Sequence, residues 1–75
     1  MTRLWLNVGH EFGVGPGHVK GCILGETGLA AENVGAIELG ERTTIVAVAT
    51  EHVTTILGKL NHTKLGGQKI RARVV

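Results

Sequence analysis

Residues Thr2 to Val8 alternate in character. Leu4, Leu6 and Val8 share one side, and Arg3, Trp5 and Asn7 share the other, which is the period of a strand with one buried face. Gly9 to Gly17 breaks the pattern with four glycines and Pro16, and reads as a loop. From Pro16 the period changes to that of a helix. Val19, Cys22, Ile23 and Glu26 recur at i, i+3, i+4 and i+7, a stripe that is apolar apart from its last member. Pro16 suits the first helical position, where its missing N–H does no harm, and Gly28 suits the position just past the end.

Leu29 to Asn33 reads as a connecting turn. Ile37 and Leu39 flank Glu38 in a short second strand, and Gly40-Glu41-Arg42 turns the chain into a third, Thr43 to Ala49, rich in β-branched residues. Thr50 is placed as the N-cap of a second helix. The stripe of that helix is Val53, Ile56, Leu57 and Leu60, and Asn61 closes it. Gly66-Gly67 makes a tight turn. Lys69 to Val75 completes the pattern as an alternating strand, with Ile70, Ala72 and Val74 inward and Arg71 and Arg73 outward.

The order β-α-β-β-α-β, with right-handed crossovers, folds into an α+β ferredoxin-like split βαβ sandwich. It has a four-stranded antiparallel sheet with both helices on one face. The first and third strands are central. One core is expected from Leu4, Leu6, Val8, Val19, Ile23, Ile37, Val46, Val48, Val53, Ile56, Leu57, Leu60 and Ile70. The other sheet face stays open, and alternation assigns to it Arg3, Trp5, Asn7, Glu38, Thr43, Ile45, Ala47, Lys69, Arg71 and Arg73.

Seventy-five residues make a single domain, 1–75, with no room for an enzyme core and a separate active-site layer. Met1 directly precedes the first strand, as expected of a domain cut from a longer chain. The net charge of +2 conceals a division. Residues 1–51 carry three basic against six acidic side chains, a net −3, while residues 52–75 carry five basic and no acidic ones, a net +5. That asymmetry points to an anionic partner. A ring at the centre of an open sheet beside arginines offers a base-stacking platform in a phosphate-attracting field.

Other chemistries are poorly served. The single Cys22 excludes an internal disulfide and fits a reducing, cytoplasmic setting. No apolar run is long enough to span a bilayer, and no signal peptide is visible. The stretch Gly13-Val14-Gly15-Pro16-Gly17 lacks the closing Gly-Lys-Ser/Thr of a phosphate loop. His10, His18, His52 and His62 show no compact ligand spacing, so no metal or other cofactor is expected. The chain has no Asp, Cys22 falls on a buried stripe, and an acylphosphatase-type site would need an arginine that residues 9 to 19 do not supply. No catalytic residues are assigned.

Leu4-Trp5-Leu6-Asn7-Val8-Gly9 resembles the first ribonucleoprotein motif of an RNA recognition motif, with Trp5 at its aromatic position. Thr43-Thr44-Ile45-Val46-Ala47-Val48 occupies the place of the second, without its aromatic rings. The run Gly13-Val14-Gly15-Pro16-Gly17-His18-Val19-Lys20-Gly21-Cys22-Ile23, with Gly28-Leu29 and Val34-Gly35-Ala36-Ile37, is similar to the DbpA-type RNA-binding domain. That domain is the C-terminal module of certain bacterial DEAD-box RNA helicases. The resemblance implies a non-catalytic module that binds structured RNA, a ribosomal RNA hairpin with single-stranded elements, and targets an ATP-dependent helicase core in the same parent chain. It places the protein in ribosome biogenesis. The candidate RNA-binding residues are Arg3, Trp5, Asn7, His10, His18, Lys20, Ile45, Lys69, Arg71 and Arg73. The isolated domain is expected to be monomeric. A ferredoxin-like regulatory or protein-docking module is the alternative, disfavoured as a self-associating unit because like charges would meet.

Overall fold

A computed structural model describes all 75 residues. The chain runs β1 (Thr2–Leu6), α1 (Pro16–Thr27), β2 (Val34–Leu39), β3 (Thr44–Val48), α2 (Val53–Leu60), a small hairpin of β4 (Lys64–Leu65) and β5 (Gln68–Lys69), and β6 (Ala72–Val74). The main sheet has the order β2-β3-β1-β6, and every pairing in it is antiparallel. β1 and β3 are central, as their apolar alternation requires. This is the expected α+β split βαβ fold.

Twelve buried side chains form one core cluster. Leu4, Leu6, Val46 and Val48 supply the sheet side, Val19 and Ile23 come from α1, and Ile56 and Leu60 come from α2. Three expected members, Ile37, Val53 and Leu57, are half-buried at its margin. Two unexpected ones, Val14 and Val34, are buried within it. Val14 tucks inward from the glycine-rich loop. Val34 belongs to a longer β2 than expected and pairs with Val48, after which the register shifts before Ile37.

The helix ends follow local chemistry. Pro16 opens α1 and Gly28 closes it, the Gly28 N–H donating to the Leu24 carbonyl. Thr50, by contrast, does not cap α2. A single 3₁₀ turn, Thr50–His52, precedes the helix, with the His52 N–H bonded to the Ala49 carbonyl at 3.0 Å. The backbone thus satisfies its own donors, and the Thr50 hydroxyl instead meets Thr2 Oγ1 at 2.9 Å.

The last expected strand is divided. Gly66 and Gly67 have φ of 60° and 76°, the two positive values of a tight hairpin turn that glycine adopts without strain. Gln68–Lys69 therefore folds back on Lys64–Leu65 before the chain reaches the sheet. Ile70 is buried, and its N–H bonds the Thr63 carbonyl at 3.0 Å. Only then does β6 join β1, with Leu6 opposite Ala72, Trp5 opposite Arg73 and Leu4 opposite Val74. Val74 does not reach the core. It is 49% exposed, on the edge strand of the sheet.

Candidate nucleic-acid interface

The open face is organised around Trp5. Its cross-strand neighbours are Ile45 on β3 and Arg73 on β6, and Glu38 on β2 lies beyond Ile45 in the same row. The Arg73 guanidinium carbon stands 4.5 Å from the Trp5 ring centroid. That is cation–π range, and at an exposed site it contributes about 0.5–1 kcal/mol. The outermost plane at the sheet centre is therefore partly guanidinium as well as indole. Shallow hollows flank the ring, one lined by Ile45, Val74 and Val75 with Arg73, the other by Arg71, Ala72 and Arg73.

Glu38 is the one carboxylate on the strands of this face, and Arg3 neutralises it. Arg3 Nη2 lies 2.7 Å from Glu38 Oε2, its arm crossing β3 where Ala47, its register partner, is small. Both side chains are more than half exposed, so the pair adds little stability. Its effect is on the field that an approaching anion meets.

Asn7 has a different position from its neighbours. Its Oδ1 accepts the Arg71 N–H at 2.7 Å and its Nδ2 donates to the Lys69 carbonyl at 3.1 Å. The amide thus holds the backbone that carries Lys69 and Arg71. Asn61 does the same from the end of α2, accepting the Ala72 N–H at 2.9 Å and donating to the Ala72 carbonyl at 3.1 Å.

The loop candidates are dispersed. His10 is exposed in a 3₁₀ turn, His10–Phe12, whose backbone is laced to the β2–β3 turn. The His10 N–H donates to the Gly40 carbonyl at 2.9 Å, the Glu11 N–H to the Glu41 carbonyl at 2.8 Å, and Arg42 Nε to Glu11 Oε2 at 2.9 Å. His18 sits in the first turn of α1, and its Nδ1 accepts the Gly15 N–H at 2.9 Å. The His18 and Val19 N–H groups both donate to the Gly15 carbonyl, and Pro16 has no N–H. Little of the helix start remains free for a phosphate. Lys20 is exposed on α1, in the helical layer and so on the side away from Trp5.

The structure thus gathers Arg3, Trp5, Ile45, Arg71 and Arg73 on one face, with Lys69 at its end, and leaves His10, His18 and Lys20 apart. Of the eight basic side chains, Arg3 and Arg42 are ion-paired and Arg73 is stacked on Trp5. Lys20, Lys59, Lys64, Lys69 and Arg71 form no ion pair. Lys64 was not anticipated as part of this surface. The signal for it was present, because a two-residue Gly-Gly turn fixes which residues face each other across a hairpin, and here Lys64 faces Lys69.

Cys22 is half-buried on α1, and burial, with a smaller contribution from the Glu26 carboxylate, pushes its thiol pKa up. That favours the protonated, unreactive form. No helix is long and apolar enough to cross a membrane.

An antiparallel sheet with a cationic–aromatic centre, backed by two helices, fits a class: small α+β domains that present a sheet face to nucleic acid. Comparison with curated proteins finds no match. The chain does match the DbpA RNA binding domain family over residues 3–74, nearly its whole length, and it belongs to that family. It is therefore an RNA-binding domain, a non-catalytic module.

Proposed function

We propose that the domain binds structured RNA across Trp5, Arg71 and Arg73, and that it targets a DEAD-box helicase core carried in the same chain to a ribosomal RNA hairpin, in the cytoplasm. The observation that carries the RNA reading is the Arg73 guanidinium held over Trp5 at the centre of an open sheet, where the only strand carboxylate is already neutralised. Guanidinium planes stack on unpaired bases and their N–H forks bond phosphates or guanine edges. The Trp5 ring holds Arg73 over the sheet centre and so presents it for either. Ile45 and Arg3 frame the platform. The helicase and ribosomal RNA parts of the reading rest on membership of the DbpA domain family.

Trp5 is the only tryptophan, so its fluorescence reports directly on this surface. Titration with a labelled RNA hairpin bearing single-stranded flanks should change Trp5 emission in step with binding. Trp5→Ala should weaken binding by about 1–3 kcal/mol, the value of one stacked base. Full-strength binding by Trp5→Ala, with wild-type emission unmoved by RNA, would remove the sheet face as the site.

A further inference from the structure

The β4–β5 hairpin holds an electrostatic conflict. Lys64 and Lys69 are direct cross-strand partners. Hydrogen-bonded positions flank them, since the Ile70 N–H bonds the Thr63 carbonyl on one side and the two-residue turn closes the other. They therefore occupy the non-hydrogen-bonded position, where side chains stand closest, with Cβ atoms roughly 5 Å apart. Leu65 packs against the core, so alternation turns Lys64 and Lys69 together toward solvent, where both are exposed. No carboxylate lies within ion-pair distance of either, and residues 52–75 contain none. Like charges directly opposite each other on a hairpin are destabilising.

The hairpin is also firmly seated. A Cβ on Gly66 would stand 2.7 Å from the Phe12 carbonyl oxygen and 2.8 Å from Val14 Cγ2. The turn thus lies directly against the β1–α1 loop, and the two lysines are presented on a rigid support.

We infer that Lys64 and Lys69 are a two-pronged site for a phosphodiester group of the RNA, which lies between the two ammonium groups and relieves their repulsion. Arg71 continues this site toward the sheet face, its backbone fixed by Asn7. The inference rests on the RNA reading above. It adds a backbone-gripping surface outside the four-stranded sheet, with Lys64 as a member that the sheet-face reading does not contain.

The test uses the whole chain and the same labelled hairpin RNA. Lys64→Glu places opposite charges across the hairpin, so its melting temperature should rise above wild type while RNA affinity falls. Lys64→Gln with Lys69→Gln removes both prongs from one phosphate and should make the slope of log affinity against log salt shallower by about 0.7, the value of one phosphate contact. The same slope corresponds to roughly 5-fold weaker binding at 0.1 M salt. Lys59→Glu, on the exposed side of α2, is the charge-matched control and should leave the slope unchanged. If wild type binds RNA and the double variant keeps its slope, this inference fails and the sheet-face reading survives. If Lys64→Glu lowers the melting temperature, the conflict between the lysines is absent and the inference fails on that ground. If wild type does not bind RNA at all, the broader reading fails with it.

Discussion

Adding one methyl group at Gly9 or at Gly21 should move stability in opposite directions. Gly9 has φ −155° and ψ −172°, extended backbone open to any residue, so only space decides its substitution. A Cβ there would run into the Gly40 carbonyl oxygen and stand 2.6 Å from the Glu41 carbonyl. All of these are backbone atoms, which cannot swing aside as a side chain could. To make room, the β1–α1 loop must retreat from the β2–β3 turn, stretching the His10–Gly40 and Glu11–Glu41 bonds of 2.9 and 2.8 Å. Overpacking costs about 1–3 kcal/mol, and each weakened hydrogen bond about 0.5–1.5 kcal/mol. The total is about 3 kcal/mol or more, against a stability of roughly 4–11 kcal/mol for a domain of this size. At about 4–8 °C per kcal/mol, Gly9→Ala should melt about 12–24 °C lower. Gly21 lies within α1, exposed, with nothing within 4 Å of a Cβ. Gly21→Ala should gain about 0.5–1 kcal/mol from helix propensity and melt a few degrees higher. Thermal unfolding followed by far-ultraviolet circular dichroism reads both. A Gly9→Ala midpoint within about 3 °C of wild type would show that the two loops are not in contact as described.

Three further outcomes follow from buried or committed polar groups. The Thr44 hydroxyl, 1% exposed, donates to the Val8 carbonyl at 2.6 Å. Thr44→Val strands that carbonyl and should lose about 1–3 kcal/mol by urea denaturation, whereas Thr44→Ser keeps the bond and should lose only about the value of one methyl group, roughly 0.8 kcal/mol. Asn61→Ala removes both bonds to Ala72, and hydrogen exchange should quicken at the Ala72 N–H before it does in β3. The raised Cys22 pKa stabilises the fold in full below the ordinary thiol value of about 8.5, and that share is lost as pH rises past it. Cys22→Ala should therefore lose less stability than wild type between pH 7 and pH 10, as read from urea midpoints.

Much of the scaffold was legible because it depends on local periods. The Leu4-Leu6-Val8 alternation, the Val19 and Ile23 stripe and the Pro16 and Gly28 boundaries each encode their own environment. Val14 and Val34 were not legible, since a valine within a glycine-rich loop or a turn shows no period, and only the packing of distant segments buries it. The division of the last strand was half visible. Gly66-Gly67 announces a turn, but alternation from Lys69 to Val75 carries no mark of the break at Ile70. At the site, the open-face residues followed from alternation, and Arg73 followed from its place on the last strand. That Arg73 covers Trp5, that Arg3 reaches Glu38 and that the Asn7 and His18 side chains bind backbone depend on side-chain geometry across strands. No one-dimensional pattern contains that.

The hairpin has a consequence for how such a domain diversifies. Its strands lie outside the four-stranded sheet, and Lys64 and Lys69 contribute nothing to the core. A lineage can change the charge, length or chemistry of those two prongs without disturbing the register that holds Trp5 and Arg73 in place. The sheet face, by contrast, is tied through β1 and β3 to the buried valines and leucines behind it, so mutation there is tested by folding before it is tested by binding. One domain thus carries a slowly evolving surface beside a freely evolving one. New RNA preferences are expected to arise first at the hairpin.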